Sequence, residues 1–165
     1  EELGALVGFL SVLASNSLPL TTNPHSYLDP DLVLEFDTRS GDEENIVKKV
    51  EQAVADAWTN NPVVIFSELS STAAPASREM KGMMEALALS PAPTVFEVDK
   101  RVDASVLRPM LQRLTHRSQL PIVLIAGIPL TLEDLRAEQV ADTLKARVEK
   151  SGAVIDGANQ RRRRR

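Results

Sequence analysis

Between Glu43 and Gly152 the apolar positions switch repeatedly between a helical period and an extended one. Ile46, Val47, Val50, Val54, Ala57 and Trp58 share one helical face behind an acidic first turn, and Asn60-Asn61-Pro62 ends that helix. Residues 62–67 then run Pro-Val-Val-Ile-Phe-Ser, the unbroken apolar stretch of a strand covered on both faces. A helix is expected from about Ala76 with Met80, Met83, Met84 and Leu87 inward, a methionine stripe that reads as core filling. Ser90-Pro91-Ala92-Pro93 breaks the chain before a strand at 94–99. Asp103 caps the next helix, which turns Val106, Leu107, Met110, Leu111 and Leu114 inward; Pro109 within it predicts a kink or a late start. A strand at 121–125 leads through Gly127 to Thr131-Leu132-Glu133-Asp134, where a threonine with an acid three positions on opens the last helix. Leu135, Val140, Leu144 and Val148 give that helix its buried face, Ser151-Gly152 ends it, and the remainder is expected to be tail. Helical crossovers imply a parallel pair for the first two strands, and the short turn at Gly127 implies an antiparallel one. The pattern predicts an α/β fold with a central four-stranded mixed sheet flanked by helices.

Upstream, residues 2–14 place Leu3, Leu6, Val7, Leu10 and Leu13 on one helical face, and Gly4 and Gly8 would let another helix approach closely. This face is expected to cover the main domain, the alternative being a protein partner docked on helix 2–14 or a membrane surface. The absence of Lys and Arg from its polar side counts against anionic lipid. A Ser-, Asn-, Thr- and Pro-rich loop spans 15–30, and Leu32, Leu34 and Phe36 alternate as an extra half-buried strand at 32–37 would. Arg39-Ser40-Gly41-Asp42 turns the chain. The expected organisation is an N-terminal extension (1–42), a main domain (43–152) and a basic tail (153–165).

Composition narrows the function classes. With 4% aromatic residues, the core must be mostly aliphatic and methionine. Net charge is −4, and setting aside Arg161–Arg165 leaves a body near −9, unsuited to nucleic acid. Cysteine is absent, which excludes disulfides, thiolate metal sites and thiol–disulfide exchange by this chain. The most apolar run, Leu3 to Ala14, is about 12 residues against the roughly 20 of a spanning helix. The chain starts at Glu1 without a methionine, so membrane attachment is expected only through a missing upstream anchor.

Chemistry on a strand–helix frame of this kind starts after the first strand, here at Glu68-Leu-Ser-Ser-Thr-Ala-Ala-Pro-Ala-Ser77. A serine hydroxyl stays protonated at neutral pH and does not replace a thiolate. Ser70, Ser71 and Thr72 lack the Gly-x-Ser-x-Gly setting of a hydrolytic nucleophile, and His116 is the only histidine near the frame. His25 and His116 have no partner at metal-ligand spacing, and the acids between Asp29 and Glu44 fit no calcium loop, so no metal is expected. Arg161–Arg165 reads as a native or added basic tail.

Specific stretches resemble the glutaredoxins. Val63–Ser67 is similar to the strand before the redox motif, and Ser77 to Met84 to the helix after it. Ser90-Pro-Ala-Pro-Thr-Val-Phe-Glu-Val-Asp99 resembles the second strand of that family, and Leu114 to Pro121 the stretch reaching its Thr-Val-Pro motif, whose proline is cis. The resemblance covers 43–152 and implies a thioredoxin-like fold. With residues 1–42 included, the layout looks closest to membrane-anchored glutaredoxins of the fungal secretory pathway. That implies a role in redox homeostasis and a secretory-pathway lumen, with cytoplasm as the alternative.

The departures from the family pattern set the functional expectation. Leu69–Ala76 stands where the family has Cys-Pro-Tyr-Cys or Cys-Pro-Tyr-Ser, in a loop about three residues longer. The nucleophile position falls on Ser71 counted forward and on Ala74 counted back, so the degenerate motif comprises Ser71, Thr72, Ala73 and Ala74, with no catalytic residue. Glu68 replaces a lysine and would repel the glycine carboxylate of glutathione. Thr131-Leu132-Glu133-Asp134 replaces Gly-Gly-x-Asp-Asp, with its helix N-terminus and threonine hydroxyl available to an anion. The resemblance thus implies a thiol–disulfide oxidoreductase frame inactive as such. The expected function is a glutathione- or peptide-binding module needing no cofactor, its ligand contacts drawn from Glu68, Ser71, Thr72, Leu120, Pro121 and Thr131–Asp134. The alternatives are a glutathione-dependent enzyme using the Ser71 hydroxyl, and a redox-active glutaredoxin whose cysteine has been replaced in this chain.

Overall fold

The structure, a computed structural model, describes residues 1–39 and 41–163, with side chains through Gln160. Helices α1 (Glu2–Val12), α2 (Pro30–Val33) and α3 (Glu43–Asn60) precede strand β1 (Val63–Ser67). Then follow α4 (Ala74–Glu85), β2 (Thr94–Glu97), α5 (Ala104–Thr115), β3 (Ile122–Ile125), β4 (Ile128–Leu130), α6 (Leu132–Val140), α7 (Leu144–Lys150) and α8 (Gly157–Arg163). The sheet order is β2-β1-β3-β4. Strand β1 pairs parallel to β2 with Phe66 opposite Phe96, and antiparallel to β3 with Phe66 opposite Ile122. The expected four-stranded mixed sheet is present.

The continuous apolar run of β1 has a direct cause. Successive side chains point to opposite faces. Val64 and Phe66 join Leu107, Met110 and Leu111 of α5 with Leu6 and Leu10 of α1, while Val63 and Ile65 join Met80, Met84, Leu135 and Val148 on the other side. Both faces are covered, so no β1 position is left polar until Ser67. The methionine stripe is core, as its spacing suggests.

Helix α1 lies against α3 of its own chain, and the two small residues explain how. A Cβ built on Gly4 would sit 2.7 Å from Val54 Cγ1 and 3.0 Å from Trp58 Nε1, and one on Gly8 would sit 3.3 Å from Ala57 Cβ. Leu6, Val7 and Leu10 are buried there, whereas Leu13, expected on the same face, lies beyond the helix end and is 58% exposed. The extension is tied down by polar contacts as well. Glu2 pairs with Arg113 of α5 and accepts the Leu28 N–H.

Five sequence expectations are corrected. No strand forms at 32–37: Asp29 caps a one-turn helix with Pro30 at its start, and the turn buries Val33, the residue the alternation assigned outward. Of the kink or late start expected at Pro109, the late start does not occur, since α5 runs from Ala104 to Thr115 through the proline. Asp103 precedes α5 but makes no side-chain cap; its carboxylate takes Arg101 and the Leu18 N–H. The last helix is two helices, broken where Asp142 has φ +57°, which leaves Val140 90% exposed. The expected tail begins with structure: Ala153 is buried, Val154 bridges to Ser90, and α8 follows. The side chains of Arg161–Arg165 lie outside the described residues, and so does Ser40 of the expected turn.

Candidate functional site

The loop after β1 is positioned by three sets of hydrogen bonds. The Glu68 N–H donates to the buried Ser77 Oγ at 3.0 Å. Asp99, in the 3-10 turn Val98–Lys100 that follows β2 where the strand was expected to run on to 99, accepts the N–H groups of Leu69 and Ser70 at 2.9 and 2.8 Å. The Leu69 bond, opposed by desolvation and reinforced by Ser70, holds the Asp99 carboxyl below the ordinary aspartate value. Ser71 Oγ accepts the Ala73 N–H at 3.0 Å, which starts the turn into α4. The longer loop is therefore folded back on itself and fixed at both ends.

This loop forms one wall of a cleft of about 570 Å³. Glu68, Ser71, Thr72 and Ala73 line one side, Arg108 and Gln112 of α5 another, and Arg117 to Leu120 a third. The antiparallel register that places Ile122 beside Phe66 brings the two chain segments together here. The Leu120–Pro121 peptide is cis.

Glu68 does not present a free negative charge. Its carboxylate is largely buried, with the side chain 9% exposed. Oε1 accepts Arg108 Nε at 3.1 Å and an Arg108 terminal nitrogen, and Oε2 accepts the Ser71 hydroxyl. Arg117, across the cleft, contacts the Pro129 carbonyl and the Asp134 carboxylate, each at 3.4 Å, and its buried Nε has no hydrogen-bond partner among the described residues. Two guanidinium groups against one carboxylate give the cleft lining a positive balance within an acidic chain.

The sequence-predicted residues separate into two groups. Glu68, Ser71, Thr72, Ala73 and Leu120 line the cleft, and Pro121 adjoins it between Leu120 and Ile122. Ala74 does not line it: it is buried as the first residue of α4. Thr131, Leu132, Glu133 and Asp134 also lie outside the lining, joined to it only through the Arg117–Asp134 contact. The Thr131 hydroxyl is engaged, accepting the Asp134 N–H at 3.2 Å, while Asp134 accepts the Thr131 N–H at 2.9 Å. Asp134 is thus an internal anion at this helix start. The Thr131 N–H bond, opposed by desolvation, holds its carboxyl below the ordinary value.

Arg108, Gln112, Arg117 and Gln119 were not singled out from sequence. Arg108 and Gln112 stand four residues apart on α5, opposite the buried Val106, Leu107, Met110 and Leu111. That polar stripe was the available signal, but the pattern alone reads as a solvated face. Among the described residues no three His, Asp or Glu side chains form a metal-binding group, and no helix is long and apolar enough to cross a membrane.

No family model matches the chain, and no curated protein matches it. Solved structures do. A buckwheat glutaredoxin–glutathione complex aligns with a TM-score of 0.53 at 20% identity, covering 69% of this chain and 99% of the buckwheat chain. Wheat glutaredoxin aligns at 0.53 and 23% identity, covering 60% and 90%. Oxidized glutaredoxin 2 from Chlamydomonas reinhardtii aligns at 0.51 and 22%, covering 64% and 95%. At these identities the likeness establishes the fold: a glutaredoxin, thioredoxin-like α/β architecture carried by a chain without cysteine.

Proposed function

We propose that this chain is a binding module on a glutaredoxin fold, taking glutathione or an extended peptide in the cleft beside Pro121 without performing thiol–disulfide exchange. The observation that carries the reading is a retained cleft with two arginines and two glutamines in its lining, next to a loop that has lost its sulfur. A guanidinium recognises a carboxylate through paired N–H donors, so Arg108 and Arg117 supply the contacts that a peptide carboxylate requires. One of the solved neighbours is a complex with glutathione, which supports that ligand as the first to test. Thr131–Asp134 enter the reading through the Asp134 carboxylate that contacts Arg117, since their own donors are partly occupied.

Titration with reduced glutathione, followed by amide chemical shifts, tests the module. Shifts at residues 117–120 with millimolar ligand are expected, together with zero turnover in a disulfide reductase assay. Silence throughout the cleft removes glutathione, and measurable reductase turnover removes the whole reading. From the resemblance of the layout of residues 1–42 we propose a fungal secretory-pathway lumen for the module, with cytoplasm as the alternative; imaging of the tagged full-length protein distinguishes them.

A further inference from the structure

We infer that Glu68 is a built-in competitor: its carboxylate occupies Arg108 in the place of an incoming carboxylate ligand, so the cleft binds anions by exchange rather than into an open cationic site. The inference rests on the binding reading for the cleft as the site, and adds how that site is regulated.

The geometry supports a preformed but replaceable contact. Glu68 is held from both sides, through its N–H on Ser77 Oγ and through Oε2 on the Ser71 hydroxyl. Ser71 is itself fixed by the Ala73 N–H. The carboxylate is therefore delivered to Arg108 with little freedom left to lose, and an intramolecular group of this kind competes at a high effective concentration. Yet both Arg108 donors converge on the single oxygen Oε1. A parallel two-oxygen fork, the stronger arrangement, is not made. The Arg108 side chain is 43% exposed, so a ligand carboxylate can reach it from the cleft while the Glu68 side chain, 9% exposed, cannot be reached in the same way. Arg117, with an unpartnered buried Nε on the opposite wall, supplies a second cation for the ligand once it enters.

This arrangement makes the loop the sensor of ligand. Exchange at Arg108 leaves Glu68 with Ser71 as its remaining partner, and a buried carboxylate without its cation is unfavourable. Glu68 must then move outward, and loop 68–73 with it. Ligand binding and loop rearrangement are one event.

The test uses the full chain and two probes, acetate as a minimal carboxylate and reduced glutathione, with the Arg108 Nε–Hε resonance as readout and the backbone amides of residues 117–120 where Arg108 is replaced. Glu68→Gln is expected to bind acetate at least tenfold more tightly than the parent chain. Ser71→Ala, which removes the hydroxyl that holds the Glu68 carboxylate in place, moves affinity in the same direction by a smaller factor. Glu68→Gln/Arg108→Gln abolishes the gain. Equal acetate affinity in parent and Glu68→Gln overturns the competition, and so does uptake of neither probe by Glu68→Gln. An acetate gain in Glu68→Gln with glutathione silent in both chains leaves the competitor standing and removes glutathione as the ligand. Ser71→Ala stays informative should Glu68→Gln fail to fold.

Discussion

The Asp103 carboxylate accepts the backbone N–H of Leu18 at 2.7 Å, joining positions separated by 85 residues. Asp103 is fully buried, and Arg101 donates to both of its oxygens while reaching the Asn16 carbonyl at 2.7 Å. The extension at 1–42 is thus built onto the sheet domain through a buried charge as well as an apolar helix. Removing the carboxylate strands a buried N–H and a nearly buried guanidinium. Asp103→Ala is expected to cost ~3–5 kcal/mol, the usual range for breaking a buried pair from one side. Asp103→Asn keeps one acceptor and should cost less, about 1–3 kcal/mol. Urea unfolding midpoints measure both, and an alanine variant as stable as the parent contradicts the assignment.

The α1–α3 contact gives a graded prediction. At Gly4 an added Cβ meets Val54 at 2.7 Å and Trp58 at 3.0 Å, whereas at Gly8 the nearest atom is 3.3 Å away. Alanine gains about 1 kcal/mol of helix propensity at either site, while overpacking costs ~1–3 kcal/mol where neighbours cannot yield. Gly8→Ala is expected near neutral. Gly4→Val, bulkier and β-branched, should be clearly destabilising and should shift the emission of Trp58, the sole tryptophan. Thermal unfolding monitored by that emission compares the two.

The parts of this fold that were legible in the sequence are those where period and burial coincide. Strand β1, helix α3 and the capping box at Thr131 each carry a local pattern that tertiary contacts leave unchanged. The segment 32–37 failed because a one-turn helix and a strand differ by too few positions for periodicity to separate, and Pro30 with the Asp29 cap decided the matter. Val140 failed because the helix breaks just after it, an interruption with no proline or glycine to announce it. At the site, Ser71 and Leu120 were legible from their place in the frame. Arg108 was not, because what ties it to the loop after β1 is a contact with Glu68 across 40 residues.

Acid should release the N-terminal helix. The Arg113 hydrogen bond, opposed by desolvation and aided by the Leu28 N–H, holds the Glu2 carboxyl below the ordinary glutamate value. Arg113 is correspondingly raised and stays charged. A depressed folded-state value means that the contribution is complete above the unfolded glutamate value and disappears as pH falls through the lower, folded one. Proteolytic cleavage within 13–29, followed against pH, should therefore accelerate only below the ordinary carboxylate range. Glu2→Gln should be cleaved faster at neutral pH and lose that pH dependence.

A thiol placed in the cleft would report the field that Glu68 creates. Ser71→Cys puts sulfur where the hydroxyl now meets Glu68 Oε2, and a thiolate beside a carboxylate is disfavoured. The thiolate is the reactive form, so its alkylation rate at pH 7 follows its population. Ser71→Cys is expected to react slowly with iodoacetamide. Ser71→Cys/Glu68→Gln, with the carboxylate gone and Arg108 released toward the sulfur, should react several-fold faster and show a thiol titration displaced to lower pH. Ala74→Cys, buried at the start of α4, provides the contrast: its helix N-terminus favours thiolate, but its 7% exposure limits access. Equal rates for the single and double Ser71 variants would mean that Glu68 does not govern the electrostatics of this position.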